Sequence, residues 1–120
     1  MHRTVLLTGS AGLVGTAVTE HLRRRGQLVR PLDLRDPDAP ADVCDPAAVR
    51  QAMSGCTGVI HLAAVSRVIW GERDPEACRA TNIGGTRLVL EAALASPARP
   101  WLIFASSREV YGEPQDLPVT

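Results

Sequence analysis

The segment from Val5 to Gly15, with the sequence VLLTGSAGLVG, decides the fold of this chain. It begins as an apolar run of strand length and then carries three glycines that are spaced three residues apart. A helical pattern starts directly afterwards, and one predicted face of that helix holds the following residues: Leu13, Val14, Ala17, Val18, His21 and Leu22. A strand, a glycine turn and a helix N-terminus in this order predict a pyrophosphate site, because free N–H groups and the helix dipole favour negative charge there.

The glycine spacing is Gly-x-x-Gly-x-x-Gly, which differs from the Gly-x-Gly-x-x-Gly pattern of the standard dinucleotide fingerprint. Such a turn also occurs where glycines serve only the packing of a helix on a strand. An acidic residue favours the binding interpretation, since a second predicted strand, Leu28–Leu32, ends in Asp33, 18 residues after Gly15. At about that distance a carboxylate accepts hydrogen bonds from the adenosine ribose hydroxyls. The alternative for Asp33 is a polar residue that only closes a strand.

The carboxylate of Asp33 also predicts which dinucleotide is bound. A negative charge at this position repels a 2′-phosphate, so the sequence favours NAD over NADP. Arg35 lies close by in the sequence and is able to receive that phosphate, which leaves NADP as the alternative.

The composition indicates one globular domain over residues 1–120, with 45% hydrophobic and 22% charged residues. No apolar run approaches the roughly 20 residues of a membrane span, and the N-terminus lacks a signal-peptide pattern. The formal net charge is zero, so nothing in it indicates a nucleic-acid or membrane partner. Cys44, Cys56 and Cys78 lack Cys-x-x-Cys spacing, which predicts reduced thiols in a cytoplasmic protein and no metal site.

Two residue types are rare in a way that limits the chemistry. All 13 basic residues are arginines, so the chain contains no lysine, and its single tyrosine is Tyr111. A mechanism that needs a lysine is therefore closed to this chain alone.

The remaining elements alternate between strand and helix patterns. They are predicted in this order: a very short strand over 41–45, a helix that Asp45-Pro46 opens and Gly55 ends, a strand over 58–64, a loop over 65–73, a long helix over 74–96, and a strand over 100–105. Right-handed crossovers then give an α/β fold, a Rossmann-type parallel sheet with helices on both faces that stops after its fifth strand.

Two features inside these elements call for an interpretation. His61 lies in an apolar strand, where a packed and hydrogen-bonded histidine is more common than a catalytic one. Gly84 and Gly85 lie inside the long helix, where each costs about 0.5–1 kcal/mol relative to alanine. We interpret them as signs of tight packing against another segment of backbone near the cofactor.

The chain resembles the extended short-chain dehydrogenase/reductases, and within them the NAD-dependent nucleotide-sugar epimerases and dehydratases. Six motifs carry the resemblance in order along essentially the whole chain. They are residues 8–15 (TGSAGLVG), Asp33, Asp42-Val43, residues 61–64 (HLAA), residues 82–86 (NIGGT) and residues 106–112 (SSREVYG).

The resemblance implies a set of site residues. Those implied to bind the cofactor are Gly9, Gly12, Leu13, Val14, Gly15, Asp33, Asp42, Val43, Leu62, Ala63 and Ala64. Leu13 and Val14 would present N–H groups to the pyrophosphate, and Asp42 and Val43 would flank the adenine. Asn82 would be the structural asparagine of the family, and Ser107 would be the catalytic serine that hydrogen-bonds the sugar hydroxyl. Tyr111 does not correspond to the catalytic tyrosine.

Two departures from the family pattern qualify the expected reaction. The dehydratases carry an Asp-Glu pair after the catalytic Ser/Thr, but Arg108 precedes Glu109 here, which favours epimerase or simple dehydrogenase chemistry. The family's Tyr-x-x-x-Lys and its substrate domain lie beyond Thr120. In the family that lysine lowers the pKa of the tyrosine by charge proximity.

The expected function is therefore the NAD-binding portion of an epimerase-type enzyme that acts on a small-molecule nucleotide sugar, inactive as this chain alone. A non-catalytic NAD-binding sensor or scaffold is the alternative, and a turn that binds no cofactor is a third. The open edge of the last strand predicts self-association or pairing with a complementary fragment.

Overall fold

The computed structural model describes residues 3–117, which form one four-stranded parallel sheet with helices packed against it. The strands are β1 (Thr4–Thr8), β2 (Leu28–Leu32), β3 (Gly58–His61) and β4 (Trp101–Phe104), and their order in the sheet is β2-β1-β3-β4. In the register, Thr8 pairs with Leu32 on one side and with His61 on the other, and His61 pairs with Phe104. The carboxyl ends of all four strands therefore lie at the same edge.

The helices of the described chain connect these strands. They are α1 (Leu13–Arg24), α2 (Pro46–Met53), α3 (Val68–Arg73), α4 (Pro75–Arg79), a π-helical segment (Ala80–Gly85), α5 (Thr86–Ala95) and a 3₁₀ helix (Arg108–Tyr111). The connection through α1 and the connection through α2 cross the sheet in opposite directions. Because such crossovers are right-handed, the two helices cover opposite faces. The predicted Rossmann-type α/β fold is confirmed.

The main core lies between the sheet and helices α2 and α5. Its buried members are Leu6, Leu32, Val43, Val49, Met53, Cys56, Val59, Val89 and Ala92. The capping residues of α2 act as predicted: Asp45 accepts a hydrogen bond from the Ala47 N–H at 3.0 Å, Pro46 opens the helix, and Gly55 follows it with φ +73°.

The short strand predicted over 41–45 does not form. Its backbone makes a turn instead, because the Asp42 carboxylate accepts from the Cys44 N–H at 2.8 Å and the Asp45 N–H donates to the Asp42 carbonyl at 3.0 Å. Val43 still enters the core, with 5% of its surface exposed. The described residues therefore contribute four strands to the sheet, with β2 at one edge. Pro31 is compatible with that edge position.

The prediction for α1 identified the helix correctly but not the face that packs. Leu13 and Val14 are 92% and 60% exposed, and the fully buried residue of the helix is Gly15. The orientation follows from contact with the preceding turn, since a Cβ on Gly15 would lie 2.8 Å from Ser10 Cα. Tertiary contact, rather than the apolar stripe, decides how α1 is rotated.

Two further predictions need correction. The loop predicted over 65–73 contains the short helix α3. The long helix over 74–96 is helical over 75–95, but its middle is the π-helical segment. Gly85 is buried there against a side chain, since its Cβ would lie 2.8 Å from Val43 Cγ1, and no atom would lie within 4 Å of a Cβ on Gly84. The prediction that another segment of backbone passes close to these two glycines is therefore wrong.

Strand β4 forms the second edge of the sheet. Trp101, Ile103 and Phe104 are each about half exposed. The Trp101 indole lies over Gly58, its neighbour in the register, and occupies the space that a side chain at position 58 would need. Among residues 3–117, no helix has the length and apolar character that a membrane crossing requires.

Candidate dinucleotide-binding site

The glycine turn joins β1 to α1 at the carboxyl edge of the sheet. Gly9 has φ +69°, a conformation that L side chains rarely adopt, and the Gly12 N–H donates to its carbonyl at 3.2 Å. A Cβ on Gly9 would lie 2.9 Å from the Ala63 nitrogen, and a Cβ on Gly15 would overlap the Gly9 carbonyl. The turn is thus closed on both sides by backbone, and glycine is required at these two positions.

The first turn of α1 is open to an anion. Gly12 is the N-cap, and within the described chain no side chain caps the helix and no acidic residue lies in its first turn. Leu13 and Val14 are exposed, so their side chains do not bury this end of the helix against the rest of the molecule. Uncapped amides and the positive end of the helix dipole favour a phosphate group at such a position.

Asp33 lies at the end of β2 and faces this turn. Its carboxylate is 8% exposed, with Oδ2 accepting from the Ala11 N–H at 2.9 Å and Oδ1 accepting from the Arg35 N–H at 2.8 Å. Each oxygen retains a further lone pair with which it can accept a ligand hydroxyl. The structure thus brings the predicted acidic residue into direct contact with the predicted glycine turn.

Arg35 is part of the same corner of the molecule. Its Nε lies 3.5 Å from Asp33 Oδ1 while its side chain is 71% exposed, so the pair has little stabilising value of its own. The guanidinium also reaches the turn, since its Nη2 lies 3.5 Å from the position of a Cβ on Gly12. An exposed cation therefore lies close to both the carboxylate and the turn.

The segment after β3 forms the other wall of the turn. Leu62 and Ala63 are half-buried and Ala64 is exposed. Both the Leu62 and the Ala63 N–H donate to Thr8 Oγ1 at 3.0 Å, which fixes this backbone beside Gly9. Leu62 and Ala63 are therefore adjacent to the glycine turn, and Ala64 follows them in the chain.

The other predicted site residues, Asp42, Val43 and Ser107, make no contact with the glycine turn among the hydrogen bonds of the described residues. The Val43 side chain lies in the core, so this residue can offer a ligand its main chain, while Asp42 Oδ1 accepts from the Cys44 N–H and its Oδ2 can still accept from a ligand. Ser107 is exposed at the N-cap of the 3₁₀ helix, where its Oγ accepts from the Glu109 N–H at 3.1 Å. It follows β4 at the carboxyl edge, where the Ala105 N–H donates to the His61 carbonyl.

His61 is packed and hydrogen-bonded, as predicted. Its ring nitrogens lie 2.6 Å from Thr8 Oγ1 and 2.9 Å from Thr86 Oγ1, and burial lowers its pKa. The roles of these two threonines were not predicted, although both lie inside motifs that drew attention for their glycines. Asn82, predicted to be structural, bonds both the N–H and the carbonyl of Val65.

The cysteines and histidines of the described residues form no comparable site. Residues 3–117 contain no cluster of three or more His, Cys, Asp or Glu side chains suited to a metal ion. The three cysteines are free, and burial raises the pKa of the Cys44 and Cys56 thiols, which disfavours the reactive thiolate.

The arrangement fits a dinucleotide on structural grounds. The uncapped α1 N-terminus suits a pyrophosphate, Asp33 suits a ribose, and the Ser10 hydroxyl is buried without a hydrogen-bond partner among the described residues. A parallel sheet with a glycine turn and an acidic residue at its carboxyl edge defines the Rossmann class of nucleotide-binding proteins. The model of the NAD dependent epimerase/dehydratase family matches residues 5–120, and the chain belongs to that family.

Individual relatives agree with this assignment. A short-chain dehydrogenase/reductase superfamily protein from Agrobacterium tumefaciens, solved with bound NAD, is 39% identical with a TM-score of 0.84, over 98% of this chain and 37% of its own. A UDP-glucose 4-epimerase from Streptomyces lividans is 34% identical over 95% of this chain and 39% of its own. A D-erythronate dehydrogenase from Cupriavidus necator is 34% identical over 90% of this chain and 40% of its own. The chain thus spans about two-fifths of the length of these two curated relatives.

Proposed function

We propose that this chain is the NAD-binding portion of a nucleotide-sugar epimerase-type enzyme, in which a sugar hydroxyl is oxidised by transient hydride transfer. The observation that carries the proposal is the contact between the buried Asp33 carboxylate and the Ala11 N–H, directly before an uncapped helix N-terminus. Membership in a family of NAD-dependent enzymes supports it.

Each part of the site has an assigned role in this proposal. The amides of Leu13 and Val14 bind the pyrophosphate, and the glycines at positions 9, 12 and 15 allow the backbone to approach it. Asp33 binds the adenosine ribose, Asp42 and Val43 flank the adenine, and residues 62–64 line the path of the dinucleotide. The bound cofactor would supply the hydride acceptor.

On the substrate side, Ser107 is proposed to hydrogen-bond the sugar hydroxyl that loses its proton. It is exposed and accepts one hydrogen bond, from the Glu109 N–H, which leaves its own O–H free to turn toward a ligand. Arg108 stands where the dehydratases have an aspartate, which supports epimerase or dehydrogenase chemistry over dehydration. Of the two relatives that are 34% identical to this chain, one is named as an epimerase and the other as a dehydrogenase.

We propose that the chain alone has no turnover. The absence of lysine removes the group that lowers the pKa of the catalytic tyrosine in the family, and Tyr111 does not match that tyrosine. A non-catalytic NAD-binding sensor or scaffold is the second candidate, and the retained Ser106-Ser107 and Val110-Tyr111-Gly112 weigh against it. Mutating Ser107 in the chain joined to a downstream half separates the two, because lost turnover supports the enzyme and an unchanged phenotype supports the module. The free cysteines support a cytoplasmic location as a further expectation.

Calorimetric titration tests the cofactor site directly. We expect NAD⁺ to bind the purified chain with micromolar affinity and NADP⁺ to bind about tenfold more weakly or worse, because the Asp33 carboxylate repels a 2′-phosphate. Equal or tighter binding of NADP⁺ would show that Arg35, rather than Asp33, determines the preference. Heats at the level of dilution for both dinucleotides would refute a self-sufficient site.

We also propose that β4 mediates self-association or pairing with a complementary fragment. Its side chains are about half exposed at an unpaired sheet edge, which is an arrangement that invites strand addition. Light scattering should give an average mass above 12.8 kDa that rises with protein concentration. Ile103→Lys should reduce that mass, whereas Leu117→Lys, the same type of change at an exposed residue outside the strands, should not. A concentration-independent monomer would contradict the proposal.

A further inference from the structure

Three polar side chains form a continuous line through the interior, from β1 through β3 to α5. Thr8 Oγ1 lies 2.6 Å from His61 Nδ1, and His61 Nε2 lies 2.9 Å from Thr86 Oγ1. Thr8 is fully buried and His61 is 2% exposed. The line ends on the backbone, because the Thr86 hydroxyl donates to the Asn82 carbonyl at 2.7 Å.

The surrounding donors determine where each proton lies. The Thr86 hydroxyl has a single proton and donates it to the Asn82 carbonyl, so Thr86 Oγ1 accepts from His61 Nε2. Thr8 Oγ1 accepts from the Ala63 N–H at 3.0 Å and from the Leu62 N–H at 3.0 Å, which it shares with the Thr8 carbonyl at 3.2 Å, and its own proton is left for His61 Nδ1. His61 Nδ1 is then unprotonated, and the neutral ring carries its proton on Nε2 and donates it to Thr86.

The resulting chain of hydrogen bonds runs in one direction only. Thr8 donates to His61, His61 donates to Thr86, and Thr86 donates to the Asn82 carbonyl. A proton on His61 Nδ1 would compete with the Leu62 and Ala63 N–H groups for the lone pairs of Thr8 Oγ1. In the other neutral tautomer, the unprotonated Nε2 would also face the Thr86 oxygen, whose proton is donated to Asn82, and this buried pair would lose its hydrogen bond.

This line ends at the wall of the candidate site. Thr8 holds the peptide between Leu62 and Ala63, and a Cβ on Gly9 would lie 2.9 Å from that peptide. Asn82 holds the N–H and the carbonyl of Val65 at 2.7 and 3.1 Å. The segment 62–65 is therefore held at one end by the Thr8 hydroxyl and at the other by the Asn82 side chain. His61 and Thr86 connect the Thr8 hydroxyl to the main-chain carbonyl of Asn82.

We propose that His61 is a positioning residue of the dinucleotide site, which as a neutral Nε2–H imidazole orients the Thr8 hydroxyl and so keeps the 62–65 segment against the glycine turn. The identity of the ligand rests on the proposed function. The protonation pattern does not, because it follows from the protein's own hydrogen bonds.

The groups that meet the imidazole carry no charge. They are the Thr8 hydroxyl from β1, the Thr86 hydroxyl from α5 and the Phe104 ring from β4, stacked with its centroid 6.0 Å away. Burial therefore lowers the pKa of His61 without an opposing carboxylate. An unfolded histidine takes up its proton near pH 6.5, about the ordinary value, while the native one resists protonation to lower pH. Folding stability from this group is full above that pH and falls as the pH falls towards the lowered native value.

Nitrogen NMR of the ¹⁵N-labelled wild-type chain tests the protonation pattern without any variant. We expect His61 to be neutral at pH 7 with its proton on Nε2, and the Leu62 and Ala63 amides to be protected from hydrogen exchange. A proton on Nδ1 at pH 7, in either the other tautomer or the imidazolium, would overturn the proposal.

Substitutions test the positioning role. Thr86→Val removes the acceptor of the His61 proton and is nearly isosteric, and His61→Gln removes the Nδ1 acceptor. Both should lower the protection of the Leu62 and Ala63 amides about tenfold or more and weaken NAD⁺ binding by a similar factor. Thr86→Ser should restore both, and the denaturation midpoint of His61→Gln should depend less on pH between about 5 and 7 than that of wild type.

Thr57→Val is the matched control, since the Thr57 hydroxyl also bonds a backbone carbonyl, that of Thr4, but at the opposite end of β3. It should leave amide protection at 62–63 and NAD⁺ affinity unchanged. Folded Thr86 and His61 variants with wild-type protection of these amides would refute the positioning role. If the wild-type chain binds no NAD⁺, the self-sufficient cofactor site is refuted, while the tautomer and the amide protection still decide this inference.

Discussion

Replacing Gly15 with alanine is expected to abolish NAD⁺ binding and to lower the free energy of unfolding by about 3 kcal/mol or more. The added Cβ would overlap the Gly9 carbonyl oxygen and lie 2.8 Å from Ser10 Cα. Both neighbours are backbone in a closed turn, so neither can move aside as a flexible side chain would. Helix α1 would have to shift away from the turn, and the amides that we propose to bind the pyrophosphate would shift with it. Denaturant unfolding and calorimetry on the same preparation measure the two effects.

Gly84→Ala provides the control for this substitution. Gly84 lies in the π-helical segment, and a Cβ there would meet no atom within 4 Å. Alanine should therefore leave NAD⁺ affinity unchanged and stabilise the chain by about 0.4–1 kcal/mol, because it restricts the unfolded state. A Gly15→Ala chain that binds NAD⁺ as tightly as wild type would show that the turn serves packing only.

Replacing Asp33 with alanine is expected to weaken NAD⁺ binding about 10- to 100-fold and to shift the preference towards NADP⁺. The carboxylate accepts the Ala11 N–H and is proposed to accept the ribose hydroxyls, and its loss removes both. Arg35, which lies 3.5 Å from the same carboxylate, would lose its anionic neighbour and become available to a 2′-phosphate. Titrations with both dinucleotides should show the ratio of the two affinities changing by about tenfold.

Asp36→Ala is a close match as a control. The Asp36 carboxylate has the same charge, lies three residues away and also accepts two backbone N–H bonds, from Asp38 and Ala39. Its removal should affect neither dinucleotide by more than about twofold. Equal losses in the two variants would mean that the effect comes from net charge or loop order. Asp33→Asn, which keeps the shape, tests whether the negative charge itself is needed.

Local patterns were sufficient to predict much of this fold. Strand β2 was predicted with its observed bounds, and Asp45, Pro46 and Gly55 delimit α2 as expected, because turn and cap residues act through their immediate neighbours. The glycine turn and Asp33 were predicted to belong to one site, and the 2.9 Å bond to Ala11 places them together.

Features that depend on tertiary contact were not predictable in the same way. The apolar stripe of α1 suggested that Leu13 and Val14 pack, but the fit of Gly15 against the turn rotates them into solvent. The 41–45 segment has strand-like residues, yet the side-chain bond of Asp42 to the Cys44 N–H competes successfully with strand pairing.

The connection between Thr8, His61 and Thr86 illustrates the same limit for the site. The three residues are far apart in sequence, and only the register of the sheet, which pairs Thr8 with His61, brings the first two together. The turn into α5 then supplies the third. The sequence alone does not predict the direction of these hydrogen bonds, because it depends on donors and acceptors that meet only in the folded chain.

The packing of Trp101 over Gly58 gives the chain an intrinsic optical property. The indole packs on Gly58, in space that any side chain at position 58 would fill. At the free edge of the sheet, 46% of the surface of Trp101 is exposed to solvent. Its emission therefore depends on whether that edge is wet or covered. The other tryptophan, Trp70, lies in α3 beneath the Arg67 guanidinium and away from the strands. With Trp70 replaced by phenylalanine, the tryptophan fluorescence of the protein becomes a label-free signal from β4 alone.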